Sequence, residues 1–259
     1  EPCPGPGLDR LLIATLGAST TYTVKVPEDG LTYPAQLEVS LRERTGNSCI
    51  EVLNAGVPGY TSYESFVNLA FRVLEHHPEL IVVYHATNDL HARRATRYVG
   101  DNTGYRKVWD LDEGLVFATM RHCYQCRWLA LRAGFKPLAV EHYTRHQDEL
   151  VRAPPVTLLA EHPPTHFRRN LRYLVRLARA PGVQTVLCTF ASNPSFSEHY
   201  ARLPFYVEGF REMNDVVRHV AREEGVLLVD VAAKLSRERQ LWVDGVHLNA
   251  AGALQKAEI

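Results

Sequence analysis

Leu11-Leu12-Ile13-Ala14-Thr15-Leu16-Gly17-Ala18-Ser19-Thr20 decides how the chain is read. An apolar run of this length, broken only by Thr15 and ended by a glycine, reads as a strand buried on both faces. The same alternation continues outward from it. Tyr33 to Arg44 carries apolar residues at helical spacing and stops at Gly46. Cys49 to Leu53 reads as a second strand, followed by the turn-rich Asn54-Ala55-Gly56-Val57-Pro58-Gly59. Ser62 opens a helix to about His76, with Phe66, Leu69, Ala70, Val73 and Leu74 on one face. Leu80 to Tyr84 is the third strand. A helix over Thr165–Ala180, a strand over Thr185–Phe190, a helix over Phe205–Glu224 and a strand over Val226–Asp230 follow, and a last helix begins near Asn249.

Strands alternating with helices predict an α/β protein: three layers, with a mostly parallel sheet of about five strands between helices. In such sheets ligands bind beyond the carboxyl ends of the strands. The rhythm breaks only between about His91 and Pro164, where Gly114–Ala133 reads as a helix and Leu138–Leu150 as another apolar and charged segment. Loops this long are uncommon unless they carry a function. We therefore expect one domain over residues 1–259, with a helical cap inserted at about 91–164 and a linker-like stretch at 1–8. Tyr105 and Trp109 are the cap's candidate substrate contacts; the alternative is a helical pair that serves stability alone.

The bulk composition excludes several functions. Twenty-nine basic residues balance 29 acidic ones, so no basic field exists to hold a nucleic-acid backbone. No apolar run approaches the length of a membrane span. The Pro- and Gly-rich opening leaves secreted, membrane-anchored and cytoplasmic placements all open. Five cysteines do not form a disulfide framework. Cys49 and Cys188, in strand-like runs, are expected as buried free thiols, and Cys123-Tyr124-Gln125-Cys126 as packing or a local disulfide. A lone C-x-x-C lacks the four ligands of a zinc site, and no metal or organic cofactor is expected.

Three short motifs fall at strand ends, and a fourth lies near the C-terminus. Gly17-Ala18-Ser19 places a hydroxyl on a tight turn after the first strand, where it can act as a nucleophile or merely cap a helix. Gly56, after the second strand, offers a backbone N–H for an oxyanion, or is a loop glycine. Asn88 in Thr87-Asn88-Asp89 can donate a side-chain N–H to the same charge, or it or Asp89 caps a helix. Asp244-Gly245-Val246-His247 allows the carboxylate to fold back on the imidazole and fix its tautomer. His85, just before Asn88, is a candidate cleft-lining residue.

In this order the four motifs resemble the SGNH, or GDSL-like, hydrolase superfamily, and the resemblance covers nearly the whole chain. It implies the family's flavodoxin-like fold and a Ser19–His247–Asp244 triad. It also implies an oxyanion hole of the Ser19 and Gly56 N–H groups with the Asn88 side chain. Ala18 departs from the family by standing where the name-giving motif has Asp, and no Gly precedes Asn88 as the family often has. Neither departure removes a reacting group. G-x-S-x-G, H-E-x-x-H, P-loop and G-x-G-x-x-G patterns are absent. The expected activity is hydrolysis of a small-molecule or glycan ester through an acyl-enzyme. A carbohydrate O-deacetylase or acyltransferase with the same triad is the alternative, and a silent sugar- or lipid-binding module is a third reading.

Overall fold

The computed structural model describes residues 10–95, 98–102, 123–133 and 154–259. In chain order its elements are β1 (Leu11–Gly17), α1 (Ser19–Tyr22), α2 (Tyr33–Thr45), β2 (Ile50–Gly56), α3 (Ser62–Asn68), β3 (Leu80–Tyr84) and α4 (Thr87–Ala92). There follow α5 (Tyr124–Arg132), α6 (Leu158–Glu161), α7 (Thr165–Arg179), β4 (Gln184–Cys188), α8 (Pro204–Glu224), β5 (Leu227–Val229), α9 (Val231–Lys234) and α10 (Ala250–Ala257). The five strands form one sheet in the order β2-β1-β3-β4-β5, and every pairing is parallel.

Burial explains why the strands read as apolar runs. Leu12, Ile13, Ala14, Leu16, Ile81, Val82 and Val83 are all buried, as central strands covered on both faces require. On one side α7 and α8 supply the main core. Phe167, Leu171, Leu174, Val175 and Ala178 recur at helical spacing and are buried, while Arg168, Arg172, Arg176 and Arg179 take the opposite face of α7 and pair with Glu223 or Glu224 of α8. Each fully buried leucine or phenylalanine there contributes about 2 kcal/mol. A smaller cluster joins α2 to α10 through Tyr33, Leu37, Ala253 and Ala257.

Register sets up the site. Gly17 pairs with both Gly56 and Tyr84, Tyr84 pairs with Cys188, and Cys188 pairs with Val229. All five strands therefore finish at one level, and the segments that follow them emerge together. Strand order reverses direction about β1, so the β1–α1 turn lies at the switch point where open parallel sheets bind ligands.

Three expectations are corrected. β2 runs on to Gly56, because Asn54, Ala55 and Gly56 pair with Thr15, Leu16 and Gly17. Tertiary pairing overrides the turn propensity of Asn and Gly. The helix opened by Ser62 is not uniform: it passes into a π turn at Leu69–Val73 and a 3₁₀ turn at Leu74–His76. Cys49 is disulfide-bonded, to a partner outside the described residues, not a free thiol. Cys123 and Cys126 are bridged to each other, and Cys188 is the free buried cysteine among the described residues.

Of the expected cap, the structure describes its beginning, α5 and its end. Tyr98 stacks near the rings of His162 and His166, and Asn102 Nδ2 donates to Thr61 Oγ1 at 2.8 Å. That contact anchors Asn102 beside α3. Tyr105, Trp109, Leu138–Leu150 and most of the stretch before α5 lie outside the described residues. Among the described residues no helix is long and apolar enough to cross a membrane, and no group of three or more His, Cys, Asp or Glu side chains could hold a metal ion.

Candidate active site

Ser19 opens the single turn α1 directly beyond β1, preceded by Ala18 at φ −110° and ψ −148°. Its backbone N–H belongs to the first helical turn, whose N–H groups have no intrahelical acceptor. Its Oγ lies 3.0 Å from His247 Nε2, although the two residues are 228 positions apart. His247 Nδ1 lies 2.8 Å from Asp244 Oδ2. Because the carboxylate only accepts, Nδ1 carries the proton and Nε2 presents a lone pair to the serine hydroxyl.

The Asp244–His247 turn is held from several sides. A bridge between Trp242 and Leu248 closes it, and the Trp242 indole donates to Ser236 O at 2.9 Å. Asn249 accepts from Gly252 N–H to cap α10 and donates to Gln240 O. Within the turn, the Val246 and His247 N–H groups donate to Asp244 Oδ1 at 2.9 and 2.8 Å. Burial alone would raise the Asp244 carboxyl. The hydrogen bond and charge of His247 and the two backbone donors outweigh it and pull the group down to about 2.

Asn88 sits on α4 just past β3. The helix is capped at Ala86 with no side-chain hydrogen bond, so neither Asn88 nor Asp89 is the cap. Instead Asn88 Nδ2 donates to Tyr60 O at 2.9 Å, which leaves the amide a second N–H to offer a ligand. Asp89 does the structural work beside it. Its carboxylate, buried, accepts from the Ser62 N–H and hydroxyl at the start of α3, and so ties α4 to the loop that follows β2.

Two sequence candidates do not fit their expected places. Gly56 is buried as the last residue of β2, and its N–H donates to Asn54 Oδ1 at 3.2 Å. A Cβ there would come within 2.6 Å of Tyr22 N, so its glycine requirement is met by packing against α1. Gly59, with φ +83°, stands three residues on, next to the Tyr60 carbonyl that Asn88 grips. The Pro58-Gly59 pair was the legible signal for that turn. His85 is 3% exposed, within 2.8 Å of Ser65 Oγ and 3.8 Å of Asp89 Oδ2, and burial pushes its imidazole down to about 4. It lies under the cleft, neutral, and does not line it.

Lys256 was not anticipated. It is buried on α10, with Nζ 3.5 Å from Thr20 O and over the rings of Tyr84 and Tyr33 at 3.5 and 3.8 Å. Burial pushes its ammonium down to about 7. An apolar helix face interrupted by one lysine carries no sequence signal for this.

The model of the GDSL-like lipase/acylhydrolase family matches residues 15–254 of the chain. Among solved structures, LAE5, an alpha/beta hydrolase from the metagenome of Lake Arreo in Spain, is 17% identical with a TM-score of 0.58, covering 96% of this chain and 93% of that one. The acetyl xylan esterase AlAXEase is 14% identical, TM-score 0.58, covering 96% of both chains. A GDSL-like lipase of Parabacteroides merdae is 16% identical, TM-score 0.58, covering 98% and 95%. No curated protein matches the chain. At these identities the structures share the fold.

Proposed function

The chain belongs to the GDSL-like lipase/acylhydrolase family and is a carboxylic ester hydrolase, and from that premise we propose that it works through an acyl-enzyme on Ser19. The observation that carries this reading is the unbroken line from Ser19 Oγ through His247 to Asp244, at 3.0 and 2.8 Å. His247 Nε2 takes the Ser19 proton as Oγ attacks the ester carbonyl. The imidazolium, held by Asp244, returns that proton to the leaving alkoxide as the C–O bond breaks, and the alcohol departs. Water, deprotonated by the same nitrogen, then attacks the acyl-enzyme and releases the carboxylic acid and Ser19. The oxyanion is held by the Ser19 N–H and the second Asn88 Nδ2–H, with the Gly59 turn replacing Gly56 as the neighbouring side of the hole.

The substrate is a small-molecule or glycan ester. Two of the structural neighbours are named as acetyl xylan esterases, which makes an O-acetylated sugar the first glycan to try. A panel of p-nitrophenyl esters of rising chain length, run beside acetylated xylo-oligosaccharides, tests the activity. Turnover of at least one class is expected, and a folded protein inert on all of them overturns it. Added alcohols that capture the acyl group would assign a transferase instead.

Asn88→Ala separates oxyanion donation from a structural role. Because that bond strengthens as charge develops, kcat should fall about 100-fold or more with little change in KM. A variant that loses only thermal stability, through the Tyr60 contact, would remove Asn88 from the hole.

A further inference from the structure

A second imidazole faces the carboxylate of the Ser19–His247–Asp244 line. His199, in the loop between β4 and α8, places Nε2 3.7 Å from Asp244 Oδ1. Its Nδ1 accepts the Ala201 N–H at 3.2 Å and so caps the 3₁₀ turn Tyr200–Arg202. A neutral ring that accepts at Nδ1 carries its proton on Nε2, the nitrogen turned toward Asp244.

The arrangement is built from both sides. A Cβ on Gly245 would lie 2.5 Å from His199 Nδ1 and 2.7 Å from the Ala201 methyl, so a glycine at this point of the Asp-x-x-His turn is what lets the two loops meet. The Asn193 N–H donates to Gly245 O at 2.8 Å and fastens them together. The Tyr200 ring lies 3.9 Å from the His199 ring, centroid to centroid. The far side of Tyr200 meets His91 and Tyr206. The charged or titrating groups that face His199 are thus Asp244 and, beyond it, His247, with the Tyr200 ring alongside.

We propose that His199 is a positioning residue: its Nε2–H holds Asp244 Oδ1 from the loop side, so that Oδ2 stays directed at His247 Nδ1. The proposal rests on the acyl-enzyme reading of the site. Oδ1 already accepts the Val246 and His247 N–H groups, and both of those donors move with the turn itself. His199 is the donor that ties the carboxylate to a different segment. At 3.7 Å the contact is a charge–dipole attraction, and such contacts tighten when charge develops during turnover. Burial and the neighbouring His247 hold the His199 imidazole below its usual range, against the pull of Asp244. It therefore donates as a neutral ring and adds no second positive charge beside the imidazolium that forms on His247.

Two substitutions divide the two jobs of this ring. His199→Asn keeps an acceptor near Nδ1 for the Ala201 N–H but cannot reach Asp244. His199→Gln keeps an N–H near Nε2 but gives up the cap. With the Nε2–H gone, Asp244 becomes the stronger base. The proton of the His247 Nδ1–H to Asp244 bond should then move downfield in the NMR spectrum, and the acid limb of kcat/KM should move to higher pH. In His199→Asn we expect both shifts, a fall in kcat of about fivefold to tenfold with KM unchanged, and an unaltered melting temperature. His199→Gln should keep the kinetics and the resonance of the parent while melting lower. An Asn variant with parental kcat and resonance would reduce His199 to a helix cap.

The resonance needs no turnover. A shift seen in a protein that hydrolyses nothing would therefore sink the acyl-enzyme reading and leave the clamp standing. The unsubstituted protein supplies a check that no folding defect can spoil. Nitrogen-15 spectra should show His199 protonated at Nε2, and a proton found on Nδ1 instead would overturn the proposal.

Discussion

Asp244→Asn is expected to lower kcat about 10⁴-fold while KM and the fold survive. The two backbone N–H groups of Val246 and His247 both point at Oδ1, so the carboxamide must place its oxygen there. Its NH₂ then occupies the position of Oδ2 and faces His247 Nδ1. Two donors cannot face each other, so the imidazole shifts its proton to Nε2 and presents an N–H, not a lone pair, to Ser19 Oγ. The base is lost although no atom has moved far. Steady-state kinetics on the best ester of the panel, with melting curves alongside, measure this. A loss below tenfold would mean that the carboxylate does not fix the tautomer. Protonation of Asp244 is no substitute explanation for activity lost in mild acid, because the carboxyl is held at about 2. Its ionised form adds stability above the ordinary carboxylate range, and that contribution fades only as pH falls toward 2.

Much of this was legible in the sequence because the informative residues obey one geometric rule. Parallel strands ending at a common level bring whatever follows them to one edge. That rule groups Ser19 after β1 with Asn88 after β3, whereas the late Asp244–His247 turn lies beyond α9 and follows no strand directly. The resemblance of the four motifs to the SGNH family is what joins it to them. The five strands were legible as apolar runs, although β5 at the sheet edge is largely exposed, and α7 and α8 by periodicity. What stayed hidden was tertiary. Gly56 looks like a loop glycine until the register of β2 against β1 draws it into the sheet, which moves the turn beside Asn88 on to Gly59. His85 differs from a cleft residue only in burial, which depends on α3 packing over it. Cys49 sits in a run typical of an inert thiol, and no spacing rule reveals its bridge. His199 and Lys256 are isolated polar residues in their own segments. They acquire meaning only from neighbours 45 and 236 positions away, Asp244 and Thr20.

The account stands or falls on Ser19 as the nucleophile. Removing the hydroxyl deletes the bond-forming atom and leaves His247 without its partner, so Ser19→Ala should cost about 10⁶-fold in kcat, with only oxyanion stabilisation and binding remaining. Rate alone can mislead, because a contaminating esterase or an alternative serine would leave residual activity. Covalent capture is more direct. The intact protein is treated with a p-nitrophenyl phosphonate ester, which places a tetrahedral phosphorus where the acyl carbon would sit, and its mass and peptide map are read. We predict a single adduct that maps to Ser19, absent from Ser19→Ala and slowed severely in Asp244→Asn. An adduct on any other serine, or labelling that persists in Ser19→Ala, would contradict the account.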